Sequence, residues 1–251
     1  MSRFTDIERE SVRKRVLAVA QADTRISGGA LVGSFASNKE DKWSDLDMTF
    51  GVKTGNEPKQ VLNEWTKLLD SEFGIIHFFD VPRGNAIYRV ILFPNCLELD
   101  LSVVPESEYG ALAPGFSLLF GKAIERKDFP KQSVVDLIGW GWHHVLHANS
   151  AINRDRPWQA EFWLSALRDH IIALKCIHFD LPSAHGRGVD KLPKEETKEL
   201  EPTLIKSAEL SEMRRVLNIL SEILIKEVQY HDKKLAEELR GIFKEAICPK
   251  Q

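Results

Sequence analysis

The chain has 251 residues, 43% of them apolar and 28% charged, with a formal net charge of −3. That length buries a sizeable core as one large domain or two smaller ones, and the near-neutral balance argues against a broad nucleic-acid-binding surface. The opening stretch "MSRFTDIERESVRKRVLAVAQAD" is too charged for a signal peptide, and no apolar run approaches the roughly 18 residues of a membrane span, so a cytoplasmic protein is expected. Cys96, Cys176 and Cys248 lie far apart with no C-x-x-C pair, which fits buried or free thiols in a reducing compartment.

Helical and extended patterns alternate over the first part of the chain. Ile7, Val12, Val16, Leu17 and Ala20 recur at helical spacing. "RISGGALVGS" reads as a strand running into a tight turn, and "SDLDMTFGV" as a second strand. "EPKQVLNEWTKLLDSEF" is an amphipathic helix with Pro58 near its start. Three extended segments follow, "GIIHFFDV", "NAIYRVILF" and "CLELDLSVV". Character changes near residue 110, and from about residue 131 only helical spacing remains. It is carried by "QSVVDLIGWGWHHVLHAN", "WQAEFWLSALRDHIIALKCIHF", "LIKSAELSEMRRVLNILSEILIKEVQ" and "KKLAEELRGIFKEAI". "LPSAHGRGVDKLPKEE", rich in Gly, Pro and charge, reads as a loop between these helices. The expected fold is α+β: a small mixed-sheet domain over residues 1–125, then an all-α bundle over 126–251.

Two aspartates in the second strand need explaining. Strands are poor in Asp, and alternation sends Asp45 and Asp47 to one face while Leu46 and Met48 point to the other. Gly33 and Ser34 close the preceding strand, and a third in-strand acid, Asp100, sits in "LELDLSVV" with Glu98 on its face. A D-x-D pair alone also occurs on solvated strands and in calcium loops, and Gly-Ser alone is only a turn. The spacing, the strand context and the third acid together carry more.

In that combination the region 26–104 resembles the nucleotidyltransferase superfamily of the DNA polymerase β type. Its signature is Gly-Ser or Gly-Gly, about ten residues, Asp-apolar-Asp, and a later acid on another strand. Gly33, Ser34, Asp45, Asp47 and Asp100 match each element. The helical half is similar in architecture to bacterial antibiotic nucleotidyltransferases, which modify aminoglycosides and related drugs. The resemblance implies transfer of a nucleoside monophosphate, with AMP from ATP the first expectation, to a hydroxyl of a small molecule, with release of pyrophosphate. It also implies Asp45, Asp47 and Asp100 as ligands of two Mg²⁺ ions, and Gly33 and Ser34 as the phosphate-binding turn. The chemistry agrees: two metals about 4 Å apart can activate the attacking oxygen and stabilise the leaving one, and Mg²⁺ favours carboxylate oxygens.

Glu161, Arg168 and Lys175 fall one heptad apart on a helix of the second half and share a face. Read functionally, Arg168 and Lys175 neutralise the triphosphate and Glu161 orients or deprotonates the acceptor; read structurally, the three are a salt-bridged solvent face. Asp100 and Glu161 both remain candidates for the base, with Asp100 favoured, and Glu98 can exchange roles with Asp100. His143 and His147 have zinc-compatible spacing, but no Glu follows His143 and no third ligand is apparent, so packing is expected. Arg187 in "HGRGVD" is read as part of a structural turn, and Lys122 and Arg126 as exposed. Aminoglycosides, being cationic, call for an acidic cleft. Transfer to RNA or protein, and a non-catalytic nucleotide-binding regulator, are the alternatives. A monomer or homodimer is expected, with no membrane partner.

Overall fold

The computed structural model describes residues 4–37, 39–111, 115–125 and 132–247. Cys248 and Arg126, both singled out in the sequence, lie outside them. The chain divides into two compact units, Met1–Pro130 and Lys131–Gln251.

The first unit is a six-stranded mixed sheet with helices on one face. Helix α1, Asp6–Ala22, begins at a capping box in which the Thr5 hydroxyl accepts from Glu8 N and the Glu8 carboxylate accepts from Thr5 N. Strand β1 (Ile26–Val32) leads into one helical turn, α2 (Gly33–Ala36), and then β2 (Leu46–Val52). Helix α3 (Pro58–Phe73) starts on the expected proline and stops at Gly74, whose φ of 70 suits only a residue without a side chain. Strands β3 (His77–Arg83), β4 (Ala86–Leu92) and β5 (Glu98–Pro105) follow. A sixth strand, β6 (Phe116–Gly121), was not legible in the sequence: it is a short apolar edge strand without alternation between two positive-φ glycines, Gly115 and Gly121.

Spatial order is β3-β4-β5-β2-β1-β6, and β2 and β5 form the parallel pair at the centre. Register then fixes which side chains share a face. Leu46, Leu99 and Ile91 lie side by side, as do Phe50, Val103 and Ile87. These point to the face that α1 and α3 cover with Val12, Val16, Val61, Leu62, Trp65 and Leu69. Trp65 packs edge-on against Phe50 at 5.2 Å. Arg89 also points into this side and is 1% exposed. Its guanidinium donates to Asp80 Oδ1 at 2.6 Å, Thr66 Oγ1 at 2.9 Å and Asn63 Oδ1 at 3.0 Å, fastening the β3–β4 hairpin to α3. The opposite face carries Asp47 and Asp100, which are register partners.

The second unit is helical. Helices α4 (Val134–Asn153) and α5 (Pro157–His178) fold back on each other through a turn in which Asp155 takes a φ of 55. A short helix, α6 (Lys194–Leu200), starts in the last three residues of the stretch read from sequence as loop and runs beyond it; its seven largely charged residues offer little apolar period. Helices α7 (Leu210–His231) and α8 (Lys233–Ile247) complete the unit. Leu164, Leu167, Ile171, Leu174, Val216, Leu220, Leu224 and Phe243 are among the residues of its core. In the "HGRGVD" segment a side chain on Gly188 would press on Pro182 O at 2.5 Å, so this glycine serves packing. Among the described residues no helix is long and apolar enough to cross a membrane, and Cys96 and Cys176 are both free thiols.

On α4, His143 is half-buried and His147 exposed, and the histidine that packs in the interior is His144, which the sequence reading did not single out. His143 and His147 stand 4.2 Å apart, while buried His144 stacks on His170 of α5 at 4.9 Å and against Trp163 at 5.1 Å. Burial, followed by the neighbouring His170, His143 and His147, pushes the His144 imidazole down to about 4. Burial lowers His170 too, against the pull of Asp169. The folded chain therefore takes up these protons later than the unfolded chain, whose imidazoles titrate near 6.5. Their neutrality contributes stability that is intact above pH 6.5 and drains away as pH falls towards 4. Thermal melts of the whole chain should show a falling midpoint across that window. A His144→Gln chain with the same pH slope would contradict this assignment.

Candidate active site

The site is built on the parallel ladder. Asp47 on β2 lies opposite Asp100 on β5, and strand alternation puts Glu98 on the same face as Asp100. Asp45 stands immediately before β2. Asp45, Glu98 and Asp100 each bring a carboxylate oxygen within 4.8 Å of the others, the one acidic group of this kind among the described residues. Glu98 thus joins the set directly; in the sequence its alternation with Asp100 was the available signal, and only the fold supplies its nearness to Asp45.

Electrostatics explain why such a set is unusual. Asp100 is half-buried, and its Oδ1 has no hydrogen-bond partner among the described residues. Burial, then the charges of Asp47, Glu98 and Asp45, push its carboxyl up to about 6. A buried, unpartnered oxygen among like charges is costly unless a proton or a cation satisfies it. The donor set is all oxygen, the set that suits Mg²⁺. The residues fit a divalent metal: Asp45, Asp100 and Glu98 would hold it, with Asp47 beside them.

Gly33 explains the turn. Its φ is 68, and a Cβ there would collide with Asp47 Oδ2. Only glycine lets the chain pass this close to the acidic face while leaving it open. Ser34 follows in α2 and is half-buried. Ser37 donates from Oγ to Gly33 O at 3.0 Å, closing the turn.

The structure therefore brings together Gly33, Ser34, Asp45, Asp47 and Asp100, all in the first unit. Glu161, Arg168 and Lys175 lie on α5 in the second unit, and each has local partners. Glu161 Oε1 accepts from Ser165 Oγ at 2.6 Å. Arg168 donates to Thr203 O at 3.1 Å and to Ser165 Oγ at 3.2 Å. Lys175 departs furthest from expectation. It is 1% exposed and sits in an ion cluster with Glu196 of α6 and with Glu199 at 3.0 Å and Glu227 at 2.8 Å. Burial alone would lower its pKa, but Glu196 and Glu227 outweigh that and hold the ammonium charged. Three donors meet three carboxylates, so this lysine pins α6 to α5 and α7 instead of presenting a charge to a phosphate.

No family model and no curated protein matches the chain. Among solved structures it is similar to a crystal structure of an aminoglycoside 6-adenyltransferase from Bacillus subtilis, at 18% identity over 94% of this chain and 96% of that one, with a TM-score of 0.45. The likeness is too loose to carry a role to any residue. The site rests on its own geometry.

Gly33→Val should abolish room for a phosphate beside Asp47. Calorimetry is expected to show Mg²⁺–ATP affinity falling by roughly tenfold or more, while far-ultraviolet circular dichroism stays close to that of the native chain. Unchanged affinity would reduce Gly33 to a turn residue.

Proposed function

We propose that the chain is a metal-dependent nucleotidyltransferase. It moves a nucleoside monophosphate, AMP from ATP in the first instance, to a hydroxyl of a small acceptor. The observation that carries this reading is the acidic face itself. Asp45, Asp47, Glu98 and Asp100 converge on it, Asp100 Oδ1 is buried without a partner, and the Gly33 turn passes beside them.

Divalent metal bound there supplies charge neutralisation at the α-phosphate and makes the acceptor hydroxyl easier to deprotonate. The chain's own residues do the rest. Gly33 leaves space for the phosphates, and Ser34 offers its hydroxyl and amide at the turn. The Asp100 carboxylate receives the acceptor's proton as the acceptor oxygen bonds to the α-phosphorus. The bond from that phosphorus to the bridging oxygen breaks, and its electron pair leaves with pyrophosphate. Asp100 is thus preferred over Glu161 as base, since Glu161 Oε1 is engaged by Ser165.

The test is transfer. The chain is incubated with each α-labelled nucleoside triphosphate, Mg²⁺, and a panel of aminoglycosides, other small alcohols, tRNA and proteins. Label is expected on a small molecule with one pyrophosphate released per transfer, and Asp47→Asn is expected to lower the rate by about 10²-fold or more. Label on RNA or protein would redirect the reading. Normal turnover by Asp47→Asn would end it.

A further inference from the structure

The face that carries the acids does not end with them. Register runs it outward in rows: Asp100 lies beside Val90 and Val90 beside Phe79, while Glu98 lies beside Leu92, and Ser102 beside Tyr88 and then Val81. From the acids to the β3 edge this face is largely apolar, with exposed His77 beside Leu92 at its margin. Phe79 is 52% exposed, Leu92 40% and Val81 37%, and Tyr88 and Val90 are half-buried. Further along the strands the same face is filled by a cluster around Tyr109 that runs from Phe116 and Ala30 through Val104 to Ala86 and Tyr88 of β4. Exposed aromatics and branched residues beside a carboxylate cluster are costly in water and need an occupant.

Chemistry says which occupant. The Gly33 turn lies on the β1 side of Asp47, so the phosphate chain leaves the acids in that direction. Displacement at phosphorus is in line, with the entering oxygen opposite the leaving one. The acceptor hydroxyl must then approach across β5 from the β4–β3 side, over Val90, Leu92 and Phe79.

Resting on the nucleotidyltransferase reading, we propose that this shelf binds the body of the acceptor. The acceptor class follows: a small alcohol with an apolar or aromatic ring face. A wholly polar polycation would leave Phe79, Val81 and Leu92 wet, so the shelf selects for an amphipathic molecule. Arg83 closes the far end, its guanidinium 5.4 Å over the Tyr88 ring.

The test uses two matched probes, 2-amino-1-phenylethanol and ethanolamine, which share the amino-alcohol and differ in the ring. With Mg²⁺ and a non-hydrolysable ATP analogue present, the ring-bearing probe should bind about tenfold tighter and shift the ¹³C-methyl signals of Val81, Val90 and Leu92. Phe79→Ser and, separately, Leu92→Ser should erase that preference and leave Mg²⁺–ATP affinity intact; both positions are exposed enough to tolerate the change. Equal binding of the two probes, or methyl signals that stay still, would overturn the proposal. So would a concentration-dependent dimer that Phe79→Ser abolishes, since the shelf would then belong to a second copy of the chain. A wild-type chain that fails to bind Mg²⁺–ATP at all would instead remove the nucleotidyltransferase reading on which the shelf depends.

Discussion

Repulsion between carboxylates on one short parallel ladder is the constraint from which the rest of the first unit follows. Asp47 faces Asp100 directly, and Glu98 and Asp45 flank them. Parallel pairing gives evenly spaced rows and needs burial on at least one side, which α1 and α3 supply through Trp65, Leu62 and Val16. The well-packed lower face holds β2 and β5 in register despite the charges above. Folding energy stored in the core thus maintains an arrangement that only a cation or a proton relieves, a common signature of a working site.

Much of this was legible in the sequence because it rests on short-range rules. Alternation placed Asp45 and Asp47 together, Pro58 marked the start of α3, and Gly33 marked a turn that tolerates no side chain. What escaped notice depends on contacts between distant segments. The partners of Lys175 come from α6 and α7, and its heptad relation to Glu161 and Arg168 says nothing of them. Strand β6 lacked alternation because it is a short edge strand flanked by glycines. The apolar shelf was hidden for a similar reason: β3 and β4 together carry both large apolar and charged residues on each face, so no period separates the side packed on α3 from the side beside the acids.

The two units secure themselves by the same device. Arg89 is buried with Asp80, Thr66 and Asn63 around its guanidinium, and Lys175 is buried with three glutamates around its ammonium. In both, a charge taken out of water is tolerated because nearly every donor is matched. The acids of the β2–β5 ladder are the contrast. Glu227 Oε2 and Asp100 Oδ1 are both buried without a hydrogen-bond partner, but Glu227 has the Lys175 ammonium on its other oxygen, whereas the charges acting on Asp100 are those of Asp47, Glu98 and Asp45.

The most direct measurement compares thermal stability of the wild-type chain and Asp100→Asn, each with and without Mg²⁺, near pH 7.5. Without metal, Asp100→Asn should be at least as stable as wild type, because the substitution relieves repulsion. Saturating Mg²⁺ should raise the wild-type midpoint by several degrees, roughly the 2–3 kcal/mol that ligand at about 100 times its Kd contributes, and leave the variant nearly unmoved. A wild-type midpoint indifferent to Mg²⁺ and Mn²⁺, or an equal rise in the variant, would contradict a metal-holding role for this face.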